Sequence, residues 1–141
     1  MSQSSNLVFA NTVGEFAAGE ITRFSTGALS ARNRLVKPGA QPRTVALCEA
    51  NDLPLGVSQD DADLAGDAVN VTLLGSAGRT LRAVASGNVA EGALLVPAAG
   101  GAVRTLPGTS GTYHIVGRAL QAASAGQLVC FDPCFPQTRT V

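Results

Sequence analysis

The residues of this chain able to do chemistry are few: one histidine, three cysteines, one acidic cluster and one lysine. A single histidine, His114, excludes a paired-histidine metal site. It sits in the strand-like run Tyr113 to Val116, where an imidazole is ordinarily a surface or half-buried side chain rather than a catalyst. A Cys–His nucleophilic pair would need Cys48 or Cys130 beside His114. Nothing local supports that pairing, and Cys130 lies in an apolar run of the kind where thiols stay inert. Cys130 and Cys134 flank Phe131, Asp132 and Pro133, and a disulfide across that turn requires their Cβ vectors to converge. Three cysteines without metal-type spacing read as free thiols in a reducing compartment. Asp60, Asp61, Asp63 and Asp67 offer oxygen ligands but lack the glycine and terminal glutamate of a calcium loop, so they read as a solvated turn. The run Gly75 to Thr80 lacks the Gly-Lys-Ser/Thr ending and the following helix of a phosphate loop. Lys37, in Val36 to Gly39, lacks the flanks of a lipoyl or biotin carrier turn. The expectation is a protein that is not an enzyme, with no catalytic, cofactor-binding or metal-binding residue.

The elements that would position these groups are announced by a recurring phrase: small or acidic residues, then glycine, a polar or small residue, and an aliphatic. It occurs around Gly19, Gly66, Gly92 and Gly126, each time directly before a β-type run. Glycine accepts tight reversals, so these four read as structural turn residues that restart a strand. Alternation of Val69, Val71 and Leu73 with Asn70 and Thr72 has the period of a half-buried strand. Further strands read at Phe16 to Phe24, Arg34 to Lys37, Thr44 to Cys48, Leu55 to Ser58, Thr80 to Val84, Ala93 to Val96, Ala102 to Leu106, Tyr113 to Val116 and Gln127 to Phe131. The only helical candidates, Ala28 to Leu35 and Arg118 to Ala123, are one or two turns long. Many short strands at close spacing indicate an all-β sandwich or small barrel.

A longer recurrence links Leu55 to Val71 with Val116 to Phe131. Both read as strand, short arch, glycine, strand. They are either two equivalent corners of one barrel or convergent turn chemistry.

The chain has 141 residues, the size of one domain. Hydrophobic residues make up 45%, but with five Phe, one Tyr, one Met and no Trp the core must be built from Val, Leu and Ala. Charged residues are 14%, against about 25% in ordinary proteins, and the formal net charge is zero. Neutrality argues against nucleic-acid binding, which depends on Lys and Arg neutralising phosphates. It also suits a protein that packs against many neighbours. The cations are nine Arg and one Lys, and Arg is favoured at interfaces. The polar start Met1 to Asn6 does not read as a signal peptide, and no apolar run approaches a membrane span. Residues 1–11 read as an extended arm whose apolar knot is Leu7, Val8 and Phe9. Residues 12–141 read as a single β-rich domain, with 25–43 a loop-rich insertion bearing Arg32, Arg34 and Arg43.

Three stretches resemble the capsid decoration, or cement, proteins of tailed bacteriophages. They are Leu55 to Val71, Ala85 to Val96 with the Gly100-Gly101 turn, and Ile115 to Val129, together spanning roughly residues 44–131. The resemblance implies a β-barrel or β-tulip-like domain, often trimeric, on the outer capsid surface at three-fold or quasi-three-fold positions. It implies a virion protein made in the host cytoplasm, with the major capsid protein and its own copies as partners and neither nucleic acid nor membrane among them. Its role would be to reinforce the expanded head. An arm can add a strand to a neighbour's sheet edge, with Leu7, Val8 and Phe9 as anchors. Arg32, Arg34 and Arg43 form a second candidate contact with capsid or subunit. The alternative is a head-fibre or tail accessory that binds a host surface glycan, against which the scarcity of aromatics counts. The segment 25–43 and the tail 131–141 depart from the simplest family members.

Overall fold

Short apolar runs broken every few residues by glycine and polar turns favour short strands, and the described residues fold into ten strands, most of them of three to six residues. The computed structural model describes residues 19–29 and 32–141. Strands β1 (Glu20–Ser25), β2 (Leu35–Pro38), β3 (Thr44–Leu47), β4 (Gly56–Ser58) and β5 (Ala68–Leu73) close a barrel in the order β1-β3-β2-β4-β5. Strands β6 (Leu81–Val84), β7 (Leu94–Pro97), β8 (Val103–Thr105), β9 (Thr112–Ala119) and β10 (Leu128–Thr140) form a second sheet in the order β6-β10-β9-β7-β8. The protein is therefore all-β with a small barrel. No α-helix occurs among the described residues. A 3-10 turn spans Ala99–Gly101, and the helical candidate Arg118 to Ala123 is the end of β9 and the arch that follows it.

The second sheet repeats the first, strand for strand. Ile21 lies opposite Val71 between β1 and β5, and Leu81 opposite Phe131 between β6 and β10. Val36 faces Gly56 between β2 and β4, and Leu95 faces Gly117 between β7 and β9. β1 and β3 pair in parallel at Ser25 and Val45, and a single parallel bridge joins Ala85 to Val103 at the corresponding place. The arches match as well. Leu29 and Ala62 exchange two backbone hydrogen bonds of 2.8 and 3.1 Å, and Val89 and Ala123 exchange two of 2.8 and 3.0 Å. The Gly66 N–H donates to the Ser25 carbonyl at 2.7 Å, and the Gly126 N–H to the Ala85 carbonyl at 2.8 Å. The recurrence Leu55 to Val71 and Val116 to Phe131 thus marks equivalent positions in two sheets. It does not mark two corners of one barrel.

Residues 25–43 are not an insertion, because β2 lies within them and pairs with both β3 and β4. Neighbouring side chains on a strand point to opposite faces, and β2 is buried on both. Val36 joins the barrel interior with Ile21, Leu29, Val45, Ala62, Val69 and Val71. Leu35 joins a larger core with Cys48, Val57 and Leu74, packed against Phe131, Leu95, Val116 and Val129 of the second sheet. One core therefore holds the two sheets together. The tail is also strand. β10 runs on to Thr140 through Pro133 and Pro136, although proline normally argues against a strand. Beyond Phe131 it pairs with β9 alone, so it becomes an edge strand whose outer side needs no N–H donor.

Gly56 and Gly117 occupy equivalent tight points. A Cβ on Gly56 would lie 2.3 Å from the Thr72 carbonyl oxygen and 2.8 Å from Val71 Cγ1. On Gly117 it would lie 2.3 Å from the Asp132 carbonyl oxygen and 2.8 Å from Phe131 Cδ2. Gly56→Ala and Gly117→Ala should each destabilise the fold by about 1–3 kcal/mol or more, as overpacking against backbone does. Gly108→Ala, where a Cβ meets nothing within 4 Å, should stay within about 0.5 kcal/mol. Urea denaturation of the three variants checks this, and a neutral Gly56→Ala would show that the close approach does not require glycine.

Candidate functional site

An apolar concavity lies where the end of β5 meets an irregularity in β10. From Pro133, opposite Gly117, to Gln137, opposite Ile115, four steps of β10 span two steps of β9. The resulting bulge carries Cys134, Phe135 and Pro136, and bulges of this kind re-aim side chains. Phe135 swings onto the backbone of Gly75, where a Cβ would lie 2.8 Å from its Cδ2, and remains 73% exposed. The groove of about 420 Å³ is lined by Pro38, Leu53, Pro54, Leu55, Leu73, Gly75, Ser76, Phe135 and Pro136, with no ionisable side chain.

One wall is held by an ion pair. Lys37 Nζ lies 2.7 Å from Asp52 Oδ2, which also accepts the Glu49 N–H at 2.9 Å and so ties down the turn leading to Leu53. The hydrogen bond from Lys37, and then the Glu49 N–H, hold the Asp52 carboxyl below its ordinary pKa, and the same bond holds Lys37 above its own. Asp52 therefore contributes stability above about pH 4 that is lost on acidification, and Lys37 contributes stability that is lost above its ordinary pKa. Both side chains are half-buried and keep about a third of their surface in solvent, so the pair positions the turn more than it stabilises the fold.

The three arginines singled out from the sequence as contact residues have different surroundings. Arg34 is half-buried and reaches across to the second sheet, where its Nη1 donates to the Gly100 carbonyl at 3.1 Å. The Gly100 N–H donates to Glu49 Oε2 at 3.1 Å, and the Gly101 N–H to the Cys48 carbonyl at 2.8 Å. Arg34 thus latches one sheet to the other instead of standing free for a partner. Arg32 is exposed. Arg43 is exposed in a left-handed conformation (φ 61°), its carbonyl accepting the Phe24 N–H at 2.9 Å, and it lines a shallow polar cleft with Arg23 and Gln41. Leu7, Val8 and Phe9 lie outside the described residues. The turn glycines Gly19, Gly66, Gly92 and Gly126 have φ of 71°, 91°, 86° and 84°.

The groups singled out for their chemistry serve the fold. His114 Nδ1 lies 3.1 Å from the Thr138 hydroxyl, across the β9–β10 pair. Asp67 Oδ2 accepts the Asp63 and Leu64 N–H groups at 3.0 and 3.1 Å, and Asp60 Oδ2 accepts the Asn70 N–H at 2.8 Å, so the acids cap their own arch. Gln127 does the same in the second arch, accepting the Ser124 N–H at 2.9 Å. No group of three His, Cys, Asp or Glu side chains that could hold a metal ion occurs among the described residues. The three thiols are free. Burial, and then the nearby Asp52 charge, pushes the Cys48 thiol up to about 12, and burial also raises Cys134. What sequence reading missed is the groove. Leu53, Pro54, Leu73, Phe135 and Pro136 are far apart in the chain, and the one local signal is a pair of prolines around an exposed phenylalanine.

The fold defines an all-β protein of two matched five-stranded sheets, the first closed into a barrel. It is similar to the crystal structure of the head fibre gp8.5 N base in bacteriophage phi29. The TM-score is 0.64 at 20% sequence identity, over 84% of this chain and 95% of that one. No protein-family model matches the sequence, and no curated protein matches it.

Alkylation at pH 8 should label Cys48 last of the three thiols, with full reaction only after unfolding; mass spectrometry of labelled peptides reads the order. The sign of its pH effect follows from the raised pKa. An unfolded thiol ionises near 9.0 and the folded one near 12, so stability should fall as pH rises through that window. Cys48→Ala should show a flatter loss of urea midpoint between pH 9 and 11 than the parent chain.

Proposed function

We propose that this chain is a structural component of a tailed-phage head. On this reading it binds the outer capsid surface through the major capsid protein and stabilises the expanded shell. The observation that carries the reading is the fold likeness to a phage head-fibre base, which extends over nearly the whole of that chain. The resemblance of residues 44–131 to cement proteins supports it independently. The physical design is compatible. A neutral, sparsely charged surface on a stiff β scaffold suits many modest contacts repeated by symmetry.

In this reading the protein acts without catalysis, as a homotrimer at three-fold or quasi-three-fold sites of the virion. Exposed Arg32 and Arg43 are proposed contacts with the shell, while Arg34 acts within the chain. The same likeness favours a second reading, a base that carries a head fibre, for which a glycan-binding partner would have to be demonstrated separately.

Purified protein mixed with expanded, undecorated heads of its parent phage should cosediment and saturate at a multiple of the three-fold sites. Arg32→Glu with Arg43→Glu should weaken that binding at least several-fold while leaving the urea midpoint unchanged. Absence of cosedimentation at saturating protein would sink the capsid reading, and binding to a glycan surface instead would favour the second.

A further inference from the structure

We propose that the apolar groove beside Phe135 and the arginine cleft next to it form one trough, which binds an extended peptide segment of another protein that carries apolar residues at one end and a carboxylate at the other. It does so whichever protein supplies the segment, so the capsid reading is not needed for it.

The two concavities share a wall. The apolar groove has a volume of about 420 Å³ and the cleft at Arg23, Gln41 and Arg43 about 430 Å³, and Pro38 and Leu55 line both. The joined surface is apolar at Leu53, Leu73 and Phe135 and cationic at Arg23 and Arg43. Neither lining includes an Asp or Glu among the described residues. Acids close by along the chain are already engaged. Asp52 Oδ2 lies 2.7 Å from Lys37 Nζ, and Glu20 Oε2 lies 3.3 Å from Arg79 Nη1. Arg43 is exposed, and its guanidinium has no hydrogen-bond or ion-pair partner among the described residues.

Charge and shape together select the occupant. A guanidinium is a fork that fits a carboxylate, and no acid of the lining competes for it. The other end of the trough takes aliphatic or aromatic side chains. An anionic amphiphile of small size has the same two parts, but such ligands are usually buried over about 70–90% of their surface. Here Leu53 and Phe135 stand 55% and 73% exposed on the walls, so the trough is open along its length. It is covered only by a chain that lies across it and continues past its ends. An extended chain turns every second side chain to the same face, which delivers apolar and acidic contacts along one line. The walls are set before binding. The Gly39 N–H donates to the Thr44 carbonyl at 2.8 Å, the Thr44 hydroxyl to the Gln41 carbonyl at 2.6 Å, and the Phe24 N–H to the Arg43 carbonyl at 2.9 Å. Phe135 rests on Gly75, where a Cβ would lie 2.8 Å from its Cδ2. A preformed trough spends little binding energy on ordering itself.

The test is selection of a random short-peptide library on the immobilised full chain, followed by binding measurements with a fluorescently labelled selected peptide. Selected sequences should share apolar residues followed or preceded by Asp or Glu. Phe135→Ser should weaken binding by about tenfold or more, as loss of an aromatic anchor does. Arg43→Glu should weaken it several-fold, and a peptide with its acid changed to lysine should recover affinity for that variant alone. Added salt should weaken the parent interaction. Circular dichroism and the urea midpoint verify that each variant is folded, and Leu53→Ser replaces Phe135→Ser should the latter unfold. Selected peptides without the acidic and apolar pattern, or with equal affinity for parent and variants, would overturn the proposal. Binding of dodecanoate with no peptide selected would overturn it too, since the occupant would then be an amphiphile. No phage head enters the selection, so its failure leaves the capsid reading standing, and failure to bind heads leaves this one standing.

Discussion

The structure depends on two points where one strand crosses its partner too closely for any side chain. At Gly56 the neighbouring carbonyl of Thr72 occupies the space of a Cβ, and at Gly117 the carbonyl of Asp132 does the same. Short strands can close into a small barrel only by tilting and bending steeply, which brings backbones together at the turning point. The side chains beside these glycines, Val71 and Phe131, then point inward at matched positions, opposite Ile21 and Leu81. Core placement, strand register and the spacing of the arches follow from that contact in both halves of the chain.

The two halves differ where they meet. The turn at Ala99–Gly101 docks on the first sheet, with Arg34 and Glu49 bonded to Gly100 and the Cys48 carbonyl bonded to Gly101. Gly101 is required there, since a Cβ would come within 2.8 Å of the Leu35 carbonyl oxygen. The corresponding hairpin of the first sheet ends in Arg43, which shares the left-handed backbone but stays exposed. The same backbone shape therefore serves as an internal joint in one half and as free surface in the other. β10 marks a second asymmetry. Its bulge and its extension to Thr140 build the Phe135 groove, whereas its counterpart β5 stops at Leu73.

Much of the fold was legible locally. The alternation in Ala68–Leu73, the glycine before each strand and the scarcity of large side chains all pointed to thin β-sheets of short strands. The repeat of Leu-Gly-Val at 55–57 in Val-Gly-Arg at 116–118 was also visible, but its meaning was not. Whether two such units share one sheet or build two is set by which strands pair, and strand pairing is non-local. The loop-like reading of 25–43 failed for a related reason. The short strand at Arg34 to Lys37 was legible within it, but not that Leu35 and Val36, buried on opposite faces, make that run a central stave and no part of an insertion. The prolines of β10 act in the same sense: the segment between Cys130 and Cys134 read as a turn, yet it is strand, because proline is harmless once the strand has lost its second neighbour.

By itself the sequence determined that this is an all-β chain and where its turns fall. Those are properties of local backbone preference and residue inventory, and they need no partner. Only the tertiary structure decided that the chain is doubled, that Arg34 is spent on an internal latch, and that apolar residues from distant segments gather into one groove. Each of these depends on contacts between segments tens of residues apart. Such contacts are chosen by packing and hydrogen-bond satisfaction across the whole core, which no local stretch of sequence encodes.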